Sequence, residues 1–269
     1  MRNMVSVCFV TFMVALLSPA PTHAGPITPI TVAANWDIVN NTGQLANDFH
    51  IDAYSDSNLT FVSSINGAFG SFSNGQSGFN PLVKNYDWSD GNVAAGAATH
   101  IGLELLQQTW NNINIQQAYW TKDGNKIGGF VPLPGFKVVP AGGDGPAIVT
   151  MSNESATGIY IGNASYSVGG TETPLGSMMF NPAGLGTSIS DFSIPANSFF
   201  DIFTDIQLDG GDWLLWQGQI FSDSAHQDLI GSFVDQHEHD TPEPAGLLLT
   251  GAGLLAAAAF ARKRGGERP

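Results

Sequence analysis

Apolar and polar side chains alternate along many short segments of this 269-residue chain. In residues 199–209 the even positions carry Phe200, Ile202, Ile206 and Leu208, whereas most odd positions carry Asp or Gln. In a β-strand, residues two positions apart point to the same side. One set of side chains therefore faces a core and the other faces water, as in a strand with one buried face. Helical periodicity is convincing only in the two terminal segments. The pattern therefore predicts an all-β body.

Similar strand segments recur through the body and are separated by turns rich in Gly, Asn and Asp. They are 30–39, 49–54, 98–106, 113–119, 136–139, 147–151, 159–168 and 213–221. Residues 99–110 also fit helical spacing. Asp123-Gly124 predicts a type I′ hairpin, and Gly210-Gly211 predicts a hairpin between 199–209 and 213–221. No repeat of 20–50 residues is present, and the body, 25–236, is predicted to be one antiparallel β-sandwich domain, Ig-like or jelly-roll-like.

Two segments of the body are interpreted as irregular. Ser63 to Pro81 is rich in Gly, Ser and Asn with interspersed Phe, which predicts a long loop that packs over a sheet end or presents its rings to a ligand. In Asn40-Asn41-Thr42-Gly43 the Asn and Gly residues favour a turn, and Asn side chains can bond nearby N–H groups. Together with the strand that follows, this turn resembles the first strand pair of uncharacterised secreted bacterial β-sandwich proteins. That resemblance implies no activity.

The body is strongly acidic. Between residues 25 and 241 there are four lysines and no arginine against 17 Asp and four Glu, which gives a net charge of −17. Nucleic acid is held by clustered Lys and Arg, so this charge argues against a nucleic-acid partner. The single Cys8 excludes a disulfide framework.

The N-terminus carries the features of a secretory signal peptide. Arg2 precedes an apolar run over residues 4–17, which two prolines then end. The residues at positions −3 and −1 of a cut between Ala24 and Gly25 are small. We therefore predict that residues 1–24 are removed on export. Gly25 stands where a lipoprotein needs Cys, so no lipid anchor is predicted.

The C-terminus is built from three consecutive parts. Pro242-Glu243-Pro244 is followed by an apolar stretch over 245–261 and then by Arg262-Lys263-Arg264. Seventeen residues form a helix of about 25 Å, which is barely enough to span a bilayer core. Because basic residues stay on the cytoplasmic side, the body is predicted to lie outside the membrane. Residues 237–241 are predicted to form a stalk.

This order of parts resembles the PEP-CTERM sorting domain of Gram-negative bacteria, here over residues 242–269. The resemblance implies that an exosortase-type enzyme processes the chain near Pro242–Pro244, after the apolar helix has held it in the membrane. It also implies a cell-envelope or exopolysaccharide-rich extracellular setting. A permanent single-pass anchor is the alternative.

Candidate metal-binding residues are sparse. Asp201, Asp205 and Asp209 share a strand face, but successive members are about 13 Å apart, too far to share one cation. Asp209 and Asp212 are the best remaining calcium pair. His237-Glu238-His239-Asp240 offers nitrogen and oxygen ligands but falls at the predicted stalk. We assign no metal site and no cofactor.

No catalytic residues are assigned either. His50, His100 and His226 have no recognisable nucleophile as partner, and the H-E-x-x-H, G-x-S-x-G and P-loop patterns are absent from the sequence. Six tryptophans either fill the core or include a platform that stacks on sugars, and the core interpretation is favoured. They are Trp36, Trp88, Trp110, Trp120, Trp213 and Trp216.

These features predict an exported envelope or matrix protein without catalytic activity. The alternatives are a carbohydrate-binding module that uses exposed aromatic rings, and a secreted polysaccharide hydrolase with dispersed carboxylates. The acidic surface keeps such a protein soluble and can loosely hold divalent cations in a polysaccharide matrix.

Overall fold

The computed structural model describes residues 30–54, 59–76, 82–107, 113–140, 145–169, 172–208 and 212–238. Within these ranges the chain has 16 β-strands and one 3₁₀ turn, Leu175–Ser177. The strands are β1 Ile30–Val39, β2 Asp48–Tyr54, β3 Leu59–Ile65, β4 Ser71–Gln76, β5 Val83–Ser89, β6 Ala98–Gln107, β7 Asn114–Lys122, β8 Asn125–Phe130, β9 Gly135–Pro140, β10 Gly145–Asn153, β11 Ile159–Gly169, β12 Thr187–Ser188, β13 Phe192–Ile194, β14 Ser198–Leu208, β15 Trp213–Phe221 and β16 Leu229–Glu238. The all-β prediction is confirmed.

The strands pair in antiparallel fashion and form two layers. The first layer is one sheet in the order β12-β11-β15-β16-β1-β6-β3, with β13 also paired to β11. The second layer contains the sheets β4-β5-β2-β7-β8 and β14-β10-β9, which meet at a bridge between Ile113 and Phe136. Two layers around one core are consistent with a β-sandwich.

The core between the layers is built largely from aromatic rings. Phe136 of the second layer contacts Trp36, Trp216 and Phe233 of the first layer, with ring centroids 5.2 to 6.5 Å apart. These four side chains are buried. Burying one large apolar side chain contributes about 1.5–3 kcal/mol, so contacts of this kind hold the layers together.

The outer face of the first layer is partly covered by the segment 172–181. Asn35 Nδ2 on β1 donates to the carbonyl oxygen of Met178 at 2.7 Å. Gln217 on β15 accepts from the N–H of Asn181 at 2.9 Å and donates to its carbonyl oxygen at 2.6 Å. Asn35 and Gln217 are buried under this segment, and Asn35 Nδ2 and both polar atoms of the Gln217 amide bond its backbone.

A buried asparagine forms the corner through which the chain leaves the first layer after β1. Asn40 Oδ1 accepts from the N–H of Thr42 at 3.2 Å and from its hydroxyl at 2.7 Å. Asn40 Nδ2 donates to the carbonyl oxygens of Gln44 and Val93, both at 2.8 Å. The predicted turn is present, and residues 40–46 are called the Asn40 corner below.

Asn153 repeats this geometry where the chain leaves the second layer after β10. Its Oδ1 accepts from the N–H of Ser155 at 3.1 Å and from its hydroxyl at 2.7 Å. Its Nδ2 donates to the carbonyl oxygens of Thr157 at 2.9 Å, and of Ile194 and Pro195 at 3.1 Å each. Residues 153–159 are called the Asn153 corner.

The strands around the two corners are arranged alike. Six residues after each asparagine, Ala46 bridges Val93 and Ile159 pairs with Ile194. Beyond these contacts, β1 pairs with β6 as β10 pairs with β14. The two halves, β1–β9 and β10–β16, are also interleaved, because β9 pairs with β10 and β16 pairs with β1.

One of the two predicted hairpins is confirmed and the other is wrong. Asp123 and Gly124 have φ of 51° and 74° and join β7 to β8. In contrast, β14 pairs with β10 in the second layer, whereas β15 pairs with β11 and β16 in the first. Both strands bury apolar residues, such as Ile206 and Leu214, but they approach the shared core from opposite sides. Gly210-Gly211 lies outside the described residues.

The predicted long loop from Ser63 to Pro81 is also wrong. It contains the end of β3 and all of β4, a strand at the edge of its sheet. Phe69 is buried, and the Phe72 ring lies 5.1 Å from that of Trp88. The Gly- and Ser-rich composition conceals this strand because only one face of it packs. The ambiguous segment that starts at residue 99 forms the strand β6.

The last strand reaches further than the sequence predicts. β16 extends to Glu238, so His237 and Glu238 lie in the sheet rather than in a stalk. His237 is buried, and its Nε2 lies 2.5 Å from Asp235 Oδ2. The strand continues because both of its neighbours, β1 and β15, offer backbone partners to this end.

Candidate functional site

The outer face of the second layer carries two depressions, and one of them surrounds His50. This His50 depression has a volume of about 440 Å³ and crosses β2, β7 and β8. Its lining includes Asp48, His50, Gln117, Tyr119, Lys126 and Phe130. The outward positions of these strands are therefore polar and aromatic, whereas their inward positions fill the core.

A hydrogen-bond network fixes the His50 ring. Nδ1 lies 2.6 Å from Asp87 Oδ1, and Nε2 lies 3.1 Å from Thr121 Oγ1. The Thr121 hydroxyl donates to Asp48 Oδ2 at 2.9 Å. Tyr119 stacks on the imidazole, with ring centroids 4.9 Å apart. The imidazole is thus held on both edges and on one face.

The surroundings of the His50 depression disfavour the charged forms of two side chains that line it, Tyr119 and Lys126. Burial, and then the charges of Asp52 and Asp87, raise the pKa of the Tyr119 hydroxyl. Lys126 Nζ lies over the Phe130 and Tyr119 rings, and its partial desolvation lowers the pKa of the amine. Tyr119 therefore stays neutral at physiological pH and can donate or accept a hydrogen bond.

The Thr121–His50–Asp87 distances resemble those of a catalytic triad, but the chemistry does not follow. The Thr121 proton is directed at Asp48, so it is not presented to His50 as a general base requires. Thr121 is only 4% exposed. β7 is paired with β2 and β8 on either side of Thr121, so the backbone beside this residue is engaged in two ladders.

The second depression crosses β9, β10 and β14 and has a volume of about 410 Å³. Its lining includes Lys137, Thr150, Ser152, Glu154, Phe199 and Asp201, and we call it the Phe199 groove. The Phe199 side chain is 72% exposed. Two hydrogen bonds of 2.7 Å hold polar side chains beside it, from Thr150 to Asp201 and from Ser152 to Asn114.

No family model, curated protein or solved structure matches this chain.

The structure gives every described histidine an aspartate partner. His50 pairs with Asp87, His100 Nδ1 lies 2.9 Å from Asp37, and His226 Nδ1 lies 3.4 Å from Asp191. The buried Asp235 beside His237 also accepts from Trp216 Nε1 at 2.8 Å. These pairs lie at separate places in the structure, and no group of three or more metal-ligating side chains forms among the described residues.

The tryptophan prediction is confirmed for four of the six residues. Trp36, Trp88, Trp120 and Trp216 are buried in the core, whereas Trp213 is half-buried. Trp110 lies outside the described residues. The four buried rings therefore cannot form a platform for sugars.

Several predicted sites fall outside the described residues and stay predictions. They are the cleavage site Ala24/Gly25, the calcium candidate Asp209, His239, Asp240, the sorting residues Pro242, Glu243, Pro244, Arg262, Lys263 and Arg264, and the apolar stretch 245–261. The part of the chain that the structure describes contains no helix long and apolar enough to cross a bilayer.

Sequence reasoning missed the two depressions, although one signal was available. Phe199 occupies an odd position of the alternating segment, where Asp and Gln prevail, so the pattern itself placed an aromatic ring on the outer face. The His50 depression gave no such signal, because the sequence predicts the pairing of β7 with β8 but not the pairing of β2 with β7.

Proposed function

We propose that this chain is an exported protein of a Gram-negative cell envelope or extracellular matrix that acts without catalysis. The observation that carries the proposal is the ordered C-terminal signal, Pro242-Glu243-Pro244 followed by an apolar stretch and Arg262-Lys263-Arg264. The signal features of residues 1–24 support the same route. The described body, with its shielded Thr121, supports a role in binding or structure rather than turnover.

Delivery takes place in three steps under this proposal. The signal peptide directs export, the apolar stretch 245–261 holds the chain in the membrane, and an exosortase-type enzyme processes it near Pro242–Pro244. We further propose that the body is a jelly-roll-like rather than an Ig-like sandwich. The support for this is the exchange of strand pairs between layers at the Asn40 and Asn153 corners.

Intact-mass analysis tests the delivery route. The native chain is isolated from a wild-type strain and from a strain that lacks the exosortase. We expect an N-terminus at Gly25 in both strains and loss of the C-terminal segment only in the wild type. The matched variant Glu243→Ala in the wild-type strain should keep the full C-terminus. An unprocessed C-terminus in both strains contradicts the sorting assignment.

A secreted hydrolase is the second candidate, because Thr121, His50 and Asp87 have the spacing of a nucleophile, a base and an orienting carboxylate. The test incubates the purified chain with p-nitrophenyl acetate and with soluble polysaccharides, and follows nitrophenol and reducing ends. We expect no turnover above that of His50→Ala. Turnover that disappears in His50→Ala refutes the non-catalytic proposal.

A further inference from the structure

We infer that the Phe199 groove binds a neutral polysaccharide, a polymer of uncharged pyranose rings. This inference deepens the proposed function and rests on it for the extracellular setting in which such polymers occur. It names a site and a ligand class for the body, which the delivery signals alone do not provide.

The aromatic ring is the first element of the site. Phe199 pairs with Ser152 on β10, and Ser152 in turn pairs with Gly135 on β9. This row lies on the outer face, because the alternate residue Met151 is buried in the core. Exposing 72% of a phenyl ring to water is unfavourable, and a sugar ring can cover it with its C–H face.

The second element is the set of hydrogen-bonding groups around the ring. The neighbouring row across the same strands is Lys137, Thr150 and Asp201, about 7 Å along the strand from the Phe199 row. Together they present an ammonium, a hydroxyl and a carboxylate. An apolar surface with a few fixed polar groups matches a sugar, whose ring has apolar faces and a hydroxyl edge.

Hydrogen bonds within the groove hold these groups in place before a ligand arrives. Thr150 donates to Asp201, and Ser152 donates to Asn114 of the adjoining sheet. Side chains ordered in the free protein lose less conformational entropy on binding. The groove is therefore prepared for an extended ligand.

The charges in the groove and on the surrounding surface favour a neutral polymer over a polyanion. Among the described residues that line the groove, the cation Lys137 is accompanied by the two carboxylates of Asp201 and Glu154. Residues 25–241 together carry a net charge of −17. A polyanionic polysaccharide would meet repulsion at the groove and from the surrounding surface.

Affinity electrophoresis tests this inference with the exported chain as it is isolated from the envelope fraction in a mild non-ionic detergent. Native gels contain hydroxyethylcellulose, galactomannan or dextran as neutral polymers, or alginate as a polyanion. We expect at least one neutral polymer to retard the chain and alginate not to retard it. Phe199→Ala should weaken the binding at least about tenfold, and Phe199→Tyr should retain it.

Phe130→Ala is the matched control, because Phe130 is 54% exposed on the same face but lies under Lys126 in the His50 depression. It should bind like the unaltered chain. Circular dichroism melts should show that all three variants fold, since both rings are exposed. Equal retardation of Phe199→Ala and the unaltered chain overturns the inference, as does retardation by alginate alone or by no polymer.

Failure of the groove assignment can be distinguished from failure of the proposed function. If the chain is processed as expected and turns nothing over but no polymer retards it, the groove assignment falls and the delivery proposal stands. If a bound neutral polymer is also cleaved, the non-catalytic proposal falls, and loss of retardation in Phe199→Ala still supports the groove.

Discussion

The Asn40 and Asn153 corners reach the same geometry from different sequences. One reads Asn-Asn-Thr-Gly-Gln and the other Asn-Glu-Ser-Ala-Thr, so only the asparagine and the hydroxyl residue two positions later are shared. In both, the asparagine side chain bonds the hydroxyl residue and a carbonyl from a distant segment. A buried amide and a nearby hydroxyl thus accompany the passage of the chain from one layer to the other at both corners.

The largest effect is expected from the asparagines themselves. Asn40→Ala and Asn153→Ala should each lower the free energy of unfolding by about 2–4 kcal/mol, because several buried backbone groups lose their partner. Asn40→Asp and Asn153→Asp should be at least as damaging, since a carboxylate would face carbonyl oxygens. Urea unfolding followed by circular dichroism measures all four. A loss below about 0.5 kcal/mol at either site would show that the corner is not held by its amide.

The double variant Asn40→Ala/Asn153→Ala sharpens the comparison. The two corners share no hydrogen-bond partner among those described, so their effects on the unfolding free energy should add within about 0.5 kcal/mol. Combined urea curves for the single and double variants give the coupling. A coupling above about 1 kcal/mol would mean that the corners act as one unit through the core.

A smaller effect is expected at the hydroxyl residues. Thr42→Ala and Ser155→Ala each remove a hydroxyl that bonds the asparagine at 2.7 Å, which should cost about 1 kcal/mol. The exchanges Thr42→Ser and Ser155→Thr keep the hydroxyl and serve as controls. If an exchange costs as much as the alanine, the methyl group rather than the hydrogen bond supports the corner.

The corners differ at the residue that follows the hydroxyl residue, which is Gly43 in one corner and Ala156 in the other. We expect glycine to be the more stable residue at the first position and alanine at the second. Gly43 has φ of +73°, with open space around its Cβ position, so Gly43→Ala should cost about 1 kcal/mol through backbone strain alone. Ala156 occupies the corresponding position without a positive φ. Ala156→Gly should therefore cost about 0.5–1 kcal/mol through the entropy of the unfolded chain. Thermal unfolding of both variants checks this, and a stabilising Gly43→Ala would contradict it.

The smallest effect is expected in the hairpin loops, which join β7 to β8 in the first half and β15 to β16 in the second half. β7 and β8 are joined by the tight Asp123-Gly124 turn, whereas Asp223 holds the 222–228 loop after β15 by accepting backbone N–H bonds. These bonds lower the pKa of Asp223. A lowered pKa in the folded state means that the carboxylate supports the loop above its ordinary pKa and releases it as the pH falls.

Amide hydrogen exchange as a function of pH measures this release. Exchange in residues 222–228, corrected for its intrinsic pH dependence, should quicken below about pH 4. Asp223→Asn should show the faster exchange already at neutral pH, whereas Asp123→Asn in the other hairpin should leave this loop unchanged. If the corrected exchange rate of residues 222–228 does not rise in acid, the Asp223 carboxylate does not hold this loop.

The sequence predicts local strand structure well and strand pairing poorly. The apolar runs 30–39 and 213–221 place β1 and β15 at the residues where the structure has them, because the apolar residues of a segment themselves mark it as a strand that packs on a core. The partners of these strands depend on contacts between distant segments, which leave no periodic trace. The false hairpin at Gly210-Gly211 shows this, since glycine permits a turn without specifying which layer the next strand joins.

The corners and the groove show the same limit. Asn40 is predictable as a turn because Gly43 follows it three positions later, whereas Asn153 has Ala156 at that position and its nearest glycine is Gly158. Phe199 is visible in the pattern as an exception, but its neighbours Lys137 and Thr150 come from β9 and β10 and meet it only through pairing. The Phe199 groove thus depends on the register in which β9, β10 and β14 pair, and not on a local sequence motif.

The place of β1 in the middle of the first layer has a consequence for how the molecule is made. Asp37 on β1 and Ser232 on β16 share a hydrogen bond of 2.9 Å although 195 positions separate them. A ribosome must therefore release nearly the entire body before this sheet can close at its centre. Until then β1 has β6 but not β16 as a neighbour, so the first layer stays open along one side of β1.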